Sequence, residues 1–388
     1  IIITKVATLK MGDYIKRTWC EIDLNALKYN IDTIKSITDK KIIAVVKANA
    51  YGHGDVEVSK ELQSLGIDYF AVSNIDEAIH LRSNGITGSI LILGYTPVEN
   101  ADLLSKYDVI QAVVGYDYAV SLNQALKGFG STAKVHLAID TGMSRIGFVQ
   151  NGSNDAIDEV VKVYSLSNLI VDGMFTHLCV ADSFKDVNVS FTEYQLNNLD
   201  TIVDELKSLG YDCGLVHAQN SAGLTNLQKP QYDAVRAGII LYGLNPSDDV
   251  RKDIVYKPIL SFKSVVSLVK YIHSGDTVGY GRTFTAKDTI KVATVSAGYA
   301  DGYNRLLSNR ADVLIHGRRC KVIGNVCMDQ FMVDVSELDD VKCGDVVTLV
   351  GKDGNQEITL DELANLVGTI NYELACDINV RATRVYIK

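Results

Sequence analysis

Lys-Ile-Ile-Ala-Val-Val-Lys-Ala-Asn-Ala-Tyr-Gly-His-Gly, residues 41–54, is the stretch from which the rest of this chain can be read. The apolar run at 42–46, rich in β-branched residues, predicts a fully buried strand. Lys47 stands at its end, Tyr51 follows four residues on, and Gly52 and Gly54 allow a tight turn. A lysine ending a buried strand is costly unless solvent or a partner receives its amine. Pointing into water, it does nothing. Desolvated and lowered in pKa, it becomes a Schiff-base nucleophile.

Outward from this strand, short apolar runs alternate with helical periodicity. Strands are expected at residues 42–46, 69–72, 90–93, 110–114, 134–139, 170–176, 215–217 and near 234–235. Helices are expected at 22–37, 56–65, 75–83, 116–126 and 191–209. Eight strands with helical crossovers meet the requirement of a parallel (β/α)8 TIM-type barrel. A doubly wound open sheet is the alternative, because periodicity does not reveal closure. Near 244–249 the pattern changes. Strands are then expected at 259–272, 290–295, 312–315, 320–323, 332–335 and 346–350, with one helix at 360–367. The organisation expected is an extended lead-in, 1–16; an α/β barrel, 17–246; and a mainly β C-terminal domain, 247–388.

With 388 residues, 47% hydrophobic and 22% charged, the composition is that of a globular enzyme. A net charge of −9 argues against nonspecific nucleic-acid binding. No apolar run is long enough to span a bilayer. Seven cysteines without C-x-x-C spacing, an odd number, point to reduced thiols and a cytoplasmic setting. No metal site is expected. The chain opens on Ile1 with no signal-peptide pattern, which fits either a trimmed start or a domain cut from a longer protein.

A barrel places its active site at the carboxyl ends of its strands, and informative polar residues recur there. The fifth strand runs into Asp140-Thr-Gly-Met-Ser-Arg145, and the sixth ends at Thr176-His177. The seventh leads into His217-Ala-Gln-Asn220-Ser221-Ala-Gly223, and the eighth into Arg236-Ala-Gly238-Ile239. Singly, His177 reads as a core histidine, Ser221 as a helix N-cap and Arg145 as a surface residue. Four such segments beside Lys47 read as a site.

Val-Val-Lys47-Ala-Asn-Ala-Tyr51-Gly-His-Gly closely resembles the pyridoxal 5'-phosphate (PLP) attachment motif of alanine racemases. Further matches are ordered along residues 17–387: Gly-Tyr280-Gly-Arg, Gly-Tyr299-Ala-Asp-Gly, Cys-Met328-Asp and Thr-Ile-Asn-Tyr372-Glu. The resemblance implies a PLP-dependent racemase using two bases, Lys47 and Tyr280. It places Tyr51, His177, Asn220, Ser221, Arg236, Gly238, Ile239 and Tyr372 on the cofactor. His177 would stack on the ring, Arg236 would face the pyridine nitrogen, and Ser221, Gly238, Ile239 and Tyr372 would cradle the phosphate. Arg145, Tyr299 and Met328 would meet the substrate. An arginine opposite the ring nitrogen keeps its proton, so it weakens the ring as an electron sink and disfavours side reactions. A homodimer is implied, with Tyr280 and Met328 completing the partner's Lys47 site.

One position departs from the pattern. Many alanine racemases carry a modified lysine on the strand before Asp-Thr-Gly-Met, where it orients the arginine; here the residue is Ala138. Arg145 is therefore expected to use another partner, a bound chloride or a nearby acid. The resemblance also extends to racemase domains fused to membrane modules in vancomycin-resistance serine racemases. Ile1, the lead-in and Ala138 fit such a domain, with its membrane module absent from this chain. On that ground serine is expected slightly ahead of alanine, in an enzyme supplying D-amino acids for peptidoglycan precursors; a housekeeping alanine racemase is the alternative. A barrel-fold PLP decarboxylase of basic amino acids would place a carboxylate at position 236. A non-catalytic PLP carrier would lack the long β domain.

Overall fold

A computed structural model describes residues 16–152, 155–227 and 232–388. The described residues form two compact units: those of 27–50 with 58–257, and those of 16–26 with 51–57 and 258–388. Most of the lead-in expected at 1–16 lies outside the described residues.

In the first unit, parallel strands follow each other around a ring: Lys41–Val45, Tyr69–Val72, Ser89–Ile92, Ile110–Val113, Ala133–Asp140, Leu169–Phe175, Leu215–His217 and Ala234–Ala237. Ala234–Ala237 pairs back onto Lys41–Val45, so every strand has two neighbours and the open-sheet alternative falls. The strands read as continuous apolar runs because both faces are covered. Tyr69–Val72 and Ile110–Val113 are buried at every position. Between the fifth and sixth strands the register shifts beside His136, which then sits opposite Gly173. A Cβ on Gly173 would lie 2.5 Å from the His136 ring, so glycine is what makes room for the imidazole.

The second unit is a mainly antiparallel sheet. Leu260–Ile272, Ile290–Val295, Phe331–Asp334, Arg318–Ile323, Asp312–Ile315 and Val346–Asp353 pair in sequence, and Val346–Asp353 returns to Leu260–Ile272. Leu260–Ile272 begins with the inside–outside alternation of a strand covered on one face. The helix expected at 360–367 is Leu360–Val367, capped by Thr359, whose side chain accepts from Glu362 N.

The helix expected from residue 22 starts later. Thr18–Asp23 is a strand, antiparallel to Leu260–Ile272 and parallel to Thr383–Ile387, and the helix is Leu24–Ile37. Ile22 belongs to an alternating set with Thr18 and Cys20, all buried. The switch falls at Asp23, whose Oδ1 accepts from Asn25 N at 2.8 Å and Ala26 N at 3.0 Å. Among the described residues no helix is long and apolar enough to cross a membrane.

Candidate active site

Lys47 follows the first barrel strand and opens a turn, Lys47–Tyr51, of unusual hand. Ala48, Asn49, Ala50 and Tyr51 have φ of 50–55°. Left-handed backbone costs an L-residue about 1–2 kcal/mol, and such strain persists where the surroundings over-determine it. Two anchors are visible. The Glu77 carboxylate accepts from Ala48 N and from Ser73 N, each at 2.7 Å. Tyr242 Oη donates to Val45 O at 2.8 Å, pinning the strand just before the lysine.

The loop after the fifth barrel strand is folded around Asp140, whose Oδ1 accepts from Gly142 N and Ser144 N at 3.0 and 2.9 Å. It brings Arg145 to a small pocket shared with Ala138, Asp140, Met143, Phe175 and His177. Ala138 does not substitute for a lysine here; it packs with Ala112 and Phe175. Among the described residues Arg145 has no acid partner, and the nearby Asp140 is engaged with its own loop. Gln195 ties the loop to the next strand end, donating to His177 O at 3.0 Å and lying 3.4 Å from Thr141 Oγ1.

Arg236 is buried on the eighth strand. Its Nη1 lies 2.6 Å from His217 Nδ1 and 3.1 Å from His217 O. Its Nη2 donates to Thr176 O at 2.7 Å and Ala218 O at 2.8 Å, and lies 3.2 Å from His177 Nδ1. Among the described residues no carboxylate pairs with it, and the Nε–H is left without a partner. Burial, then Arg145, lowers the guanidinium to about 9, so it is protonated at neutral pH. Burial, then Arg236, Arg145 and Lys47, holds His177 well below the ordinary imidazole range. His177 is therefore neutral. Positive charge at this rim belongs to the arginines and not to His177. His177 Nδ1 thus faces Arg236 Nη2, and its Nε2 lies 3.4 Å from Asn220 Nδ2, so both ring nitrogens have donors beside them.

Gly238 N donates to Ser221 Oγ at 2.9 Å, so the hydroxyl proton of Ser221 is left to donate elsewhere. Asn220 caps the Ser221–Asn226 turn by accepting from Gly223 N. Ile239 opens the turn Ile239–Tyr242, where a leading N–H has no intrahelical acceptor. The barrel thus brings together Lys47, Arg145, His177, Asn220, Ser221, Arg236, Gly238 and Ile239.

The remaining residues belong to the second unit. Tyr51 and Tyr372 meet there, ring centroids 6.1 Å apart. Tyr299 and Met328 are neighbours through Tyr299 N donating to Cys327 O and Ala300 N to Met328 O. Gly298 is obligatory at that approach, since a Cβ would lie 2.3 Å from both carbonyls. The buried Asp301 carboxylate accepts from Gly298 N and pairs with Arg17, fixing the Tyr299 turn. Tyr280 follows Gly279, whose φ is 71°, and its carbonyl accepts from Asn325 Nδ2. Tyr280 is 75% exposed in the single chain, and Met328 53%.

Residues 22–246 match the alanine racemase N-terminal domain family, and residues 259–386 the alanine racemase C-terminal domain family. This chain belongs to the alanine racemase family. It is 41% identical over 380 residues to alanine racemase 1 of Clostridium acetobutylicum, covering 97% of each chain. The alanine racemase structure from Clostridium difficile 630 superposes with a TM-score of 0.90 at 40% identity, covering 96% of both chains. A histidine racemase from Leuconostoc mesenteroides superposes at 0.87 with 30% identity, over 98% of this chain and all of that one. Alanine racemases depend on PLP, and this chain is a PLP-dependent amino-acid racemase. The decarboxylase and carrier readings give way.

The donor set fits PLP. A barrel lysine, a phosphate-suited group of Ser221 hydroxyl and turn N–H groups, and a buried guanidinium with one N–H to spare are what an aldehyde, a phosphate and a ring nitrogen require. Glu77, Gln195 and His136 support this set and were not among the residues expected from sequence, while His217 stood there only as the first residue of the seventh strand-end segment. Of the three, only His136 carries a signal, as a polar residue inside the apolar run 135–139.

The buried imidazoles also make stability depend on pH. Burial, then the charge of Arg236, pushes His136 down to about 3 and holds His217 well below its ordinary value, as it does His177. Unfolded, each titrates near 6.5. Below that pH the unfolded state binds more protons, so stability is complete above about 6.5 and falls as pH drops toward the low folded values. Three such rings give at most about 4 kcal/mol per pH unit. The urea midpoint is expected to fall clearly between pH 7 and 5.5, and equal midpoints would contradict neutral rings.

Proposed function

We propose that this chain interconverts L- and D-alanine by a two-base mechanism. The observation that carries the reading is Arg236, buried and, among the described residues, without a carboxylate and with Nε–H unpaired, on the same barrel rim as Lys47, Arg145 and the neutral His177. PLP supplies an electron sink that acidifies the substrate's α-proton. Lys47 anchors the cofactor's aldehyde and moves a proton at one face of Cα. Arg236 donates to the ring nitrogen without surrendering its proton, which limits charge delocalisation and side reactions. Ser221, Gly238 and Ile239 would hold the phosphate, His177 would lie on the ring and Asn220 would position these groups; Tyr51 and Tyr372 are assigned to the cofactor by the resemblance of their motifs alone. Arg145, Tyr299 and Met328 orient the substrate carboxylate.

The opposite face needs a second base, assigned to Tyr280. An ordinary phenol has a pKa of about 10, so positive charge must lie beside it at neutral pH, and the arginines are the available source. Exposure of Tyr280 and Met328 on a single chain supports a homodimer in which each projects into its partner's Lys47 site.

Alanine replaces serine as the favoured substrate. The relatives from Clostridium acetobutylicum, Methanococcus maripaludis and Clostridium perfringens carry the name alanine racemase, and those names lend no support to a link with serine or vancomycin resistance. The histidine racemase shows that the fold hosts other side chains in that protein, so the choice needs measurement. We expect kcat/KM for L-alanine to exceed that for L-serine by roughly 10- to 100-fold, as for a small apolar pocket offered one extra hydroxyl. An equal or higher value for serine would overturn this assignment.

A further inference from the structure

Behind Arg236, on the side away from the strand ends, the barrel interior holds a file of polar groups that racemisation does not use directly. His217 Nδ1 is 2.6 Å from Arg236 Nη1, His217 Nε2 is 2.9 Å from His136 Nδ1, and His136 Nε2 is 3.1 Å from Tyr69 Oη. All three residues are buried. The barrel is shaped around the file, since Gly173 leaves room for the His136 ring and Phe175 stacks on His217 with centroids 5.1 Å apart and planes 2° from parallel.

The direction of every proton in this file follows from one end. A guanidinium has five N–H donors and no acceptor, so His217 Nδ1 must accept. A neutral His217 then carries its proton on Nε2 and donates to His136 Nδ1. His136 in turn carries its proton on Nε2 and donates to Tyr69 Oη. The tautomers are not free choices. With Nδ1 protonated, His217 would turn an N–H against that of Arg236 at hydrogen-bond distance. Resting on the reading of Arg236 as the ring-nitrogen donor, we propose that His136 and Tyr69 are positioning residues of the racemase. By accepting in succession, they hold His217 in the one tautomer that receives Arg236 Nη1, which leaves Nε–H directed to the cofactor.

Without an acceptor at position 136, a buried Nε2–H on His217 would be unsatisfied, and the other tautomer, which needs no donor partner there, would compete. His136→Leu removes the acceptor. His136→Asn restores it, because Oδ1 takes the place of Nδ1, while giving up the reach to Tyr69. Tyr69→Phe leaves the rings and removes only the terminal acceptor.

The test is nitrogen NMR of ring-15N-histidine holoenzyme, which separates protonated from unprotonated ring nitrogens, with kcat measured on the same samples. In the wild type His136 and His217 should both be neutral and protonated on Nε2. In His136→Leu, His217 should shift toward the Nδ1–H form and kcat should fall about tenfold, the scale set by one unsatisfied buried donor. His136→Asn should return His217 to Nε2–H and recover most of kcat. Should the Leu variant fail to fold, Tyr69→Phe must still move the His136 signals. A wild-type His217 that is charged or protonated on Nδ1, an Asn variant no better than Leu, or unchanged His136 signals in Tyr69→Phe would each overturn the proposal. Tautomers are read whether or not the protein racemises alanine, so a failure of the proposed activity is seen separately.

Discussion

Lys47→Ala is expected to lower racemase kcat/KM by about 10⁴-fold or more, because the substitution removes an anchor and a base together. That factor corresponds to about 5.5 kcal/mol of transition-state stabilisation. No neighbour is placed to substitute. Arg236 keeps its proton at neutral pH, and His177 Nδ1 faces Arg236. The folded state should tolerate the change, since alanine can follow the buried strand and the left-handed turn is held by backbone contacts to Glu77. Borohydride reduction checks the anchor: it should fix the cofactor covalently to the peptide carrying residue 47 in the wild type and not in the variant. A variant racemising at the wild-type rate would remove Lys47 from the mechanism.

The eight barrel strands were legible because a parallel strand covered on both faces is an uninterrupted apolar run, as residues 42–46 are. What escaped were elements whose partners lie far off in sequence. Thr18–Asp23 takes its place only by pairing with Leu260–Ile272 and Thr383–Ile387, and Ile22 serves a helical and an alternating pattern equally well. The site divides in the same way. Lys47, Arg236 and Tyr280 announce themselves by residue type within motifs. The left-handed turn after Lys47 does not, since of its four residues only Asn49 belongs to a type that tolerates such backbone. Glu77 looks like any acid in the first turn of a helix, and its clamp on Ala48 exists only once two strand ends are side by side. Ala138 was visible as a departure, but a sequence cannot show that, among the described residues, Arg145 finds no acid in its place.

Tyr280→Phe is expected to cost about 10²- to 10⁴-fold in kcat/KM, the range for a general acid–base group. The loss must be equal in both directions, because enantiomers have equal free energies and their equilibrium constant is one whatever the enzyme. The two faces are separated instead by exchange. In D2O, Lys47 can still remove the α-proton from the enantiomer that presents it and return a deuteron to the same face. The variant should therefore label one enantiomer with retention of configuration and leave the other nearly unlabelled, while the wild type labels both. The substitution deletes one oxygen from a residue 75% exposed in the single chain, so the folding stability of that chain should change by no more than about 0.5 kcal/mol. A fall in racemisation with the cofactor still bound then reports on chemistry and not on folding. Undiminished racemisation, or labelling of both enantiomers at the wild-type rate, would take the second base away from Tyr280.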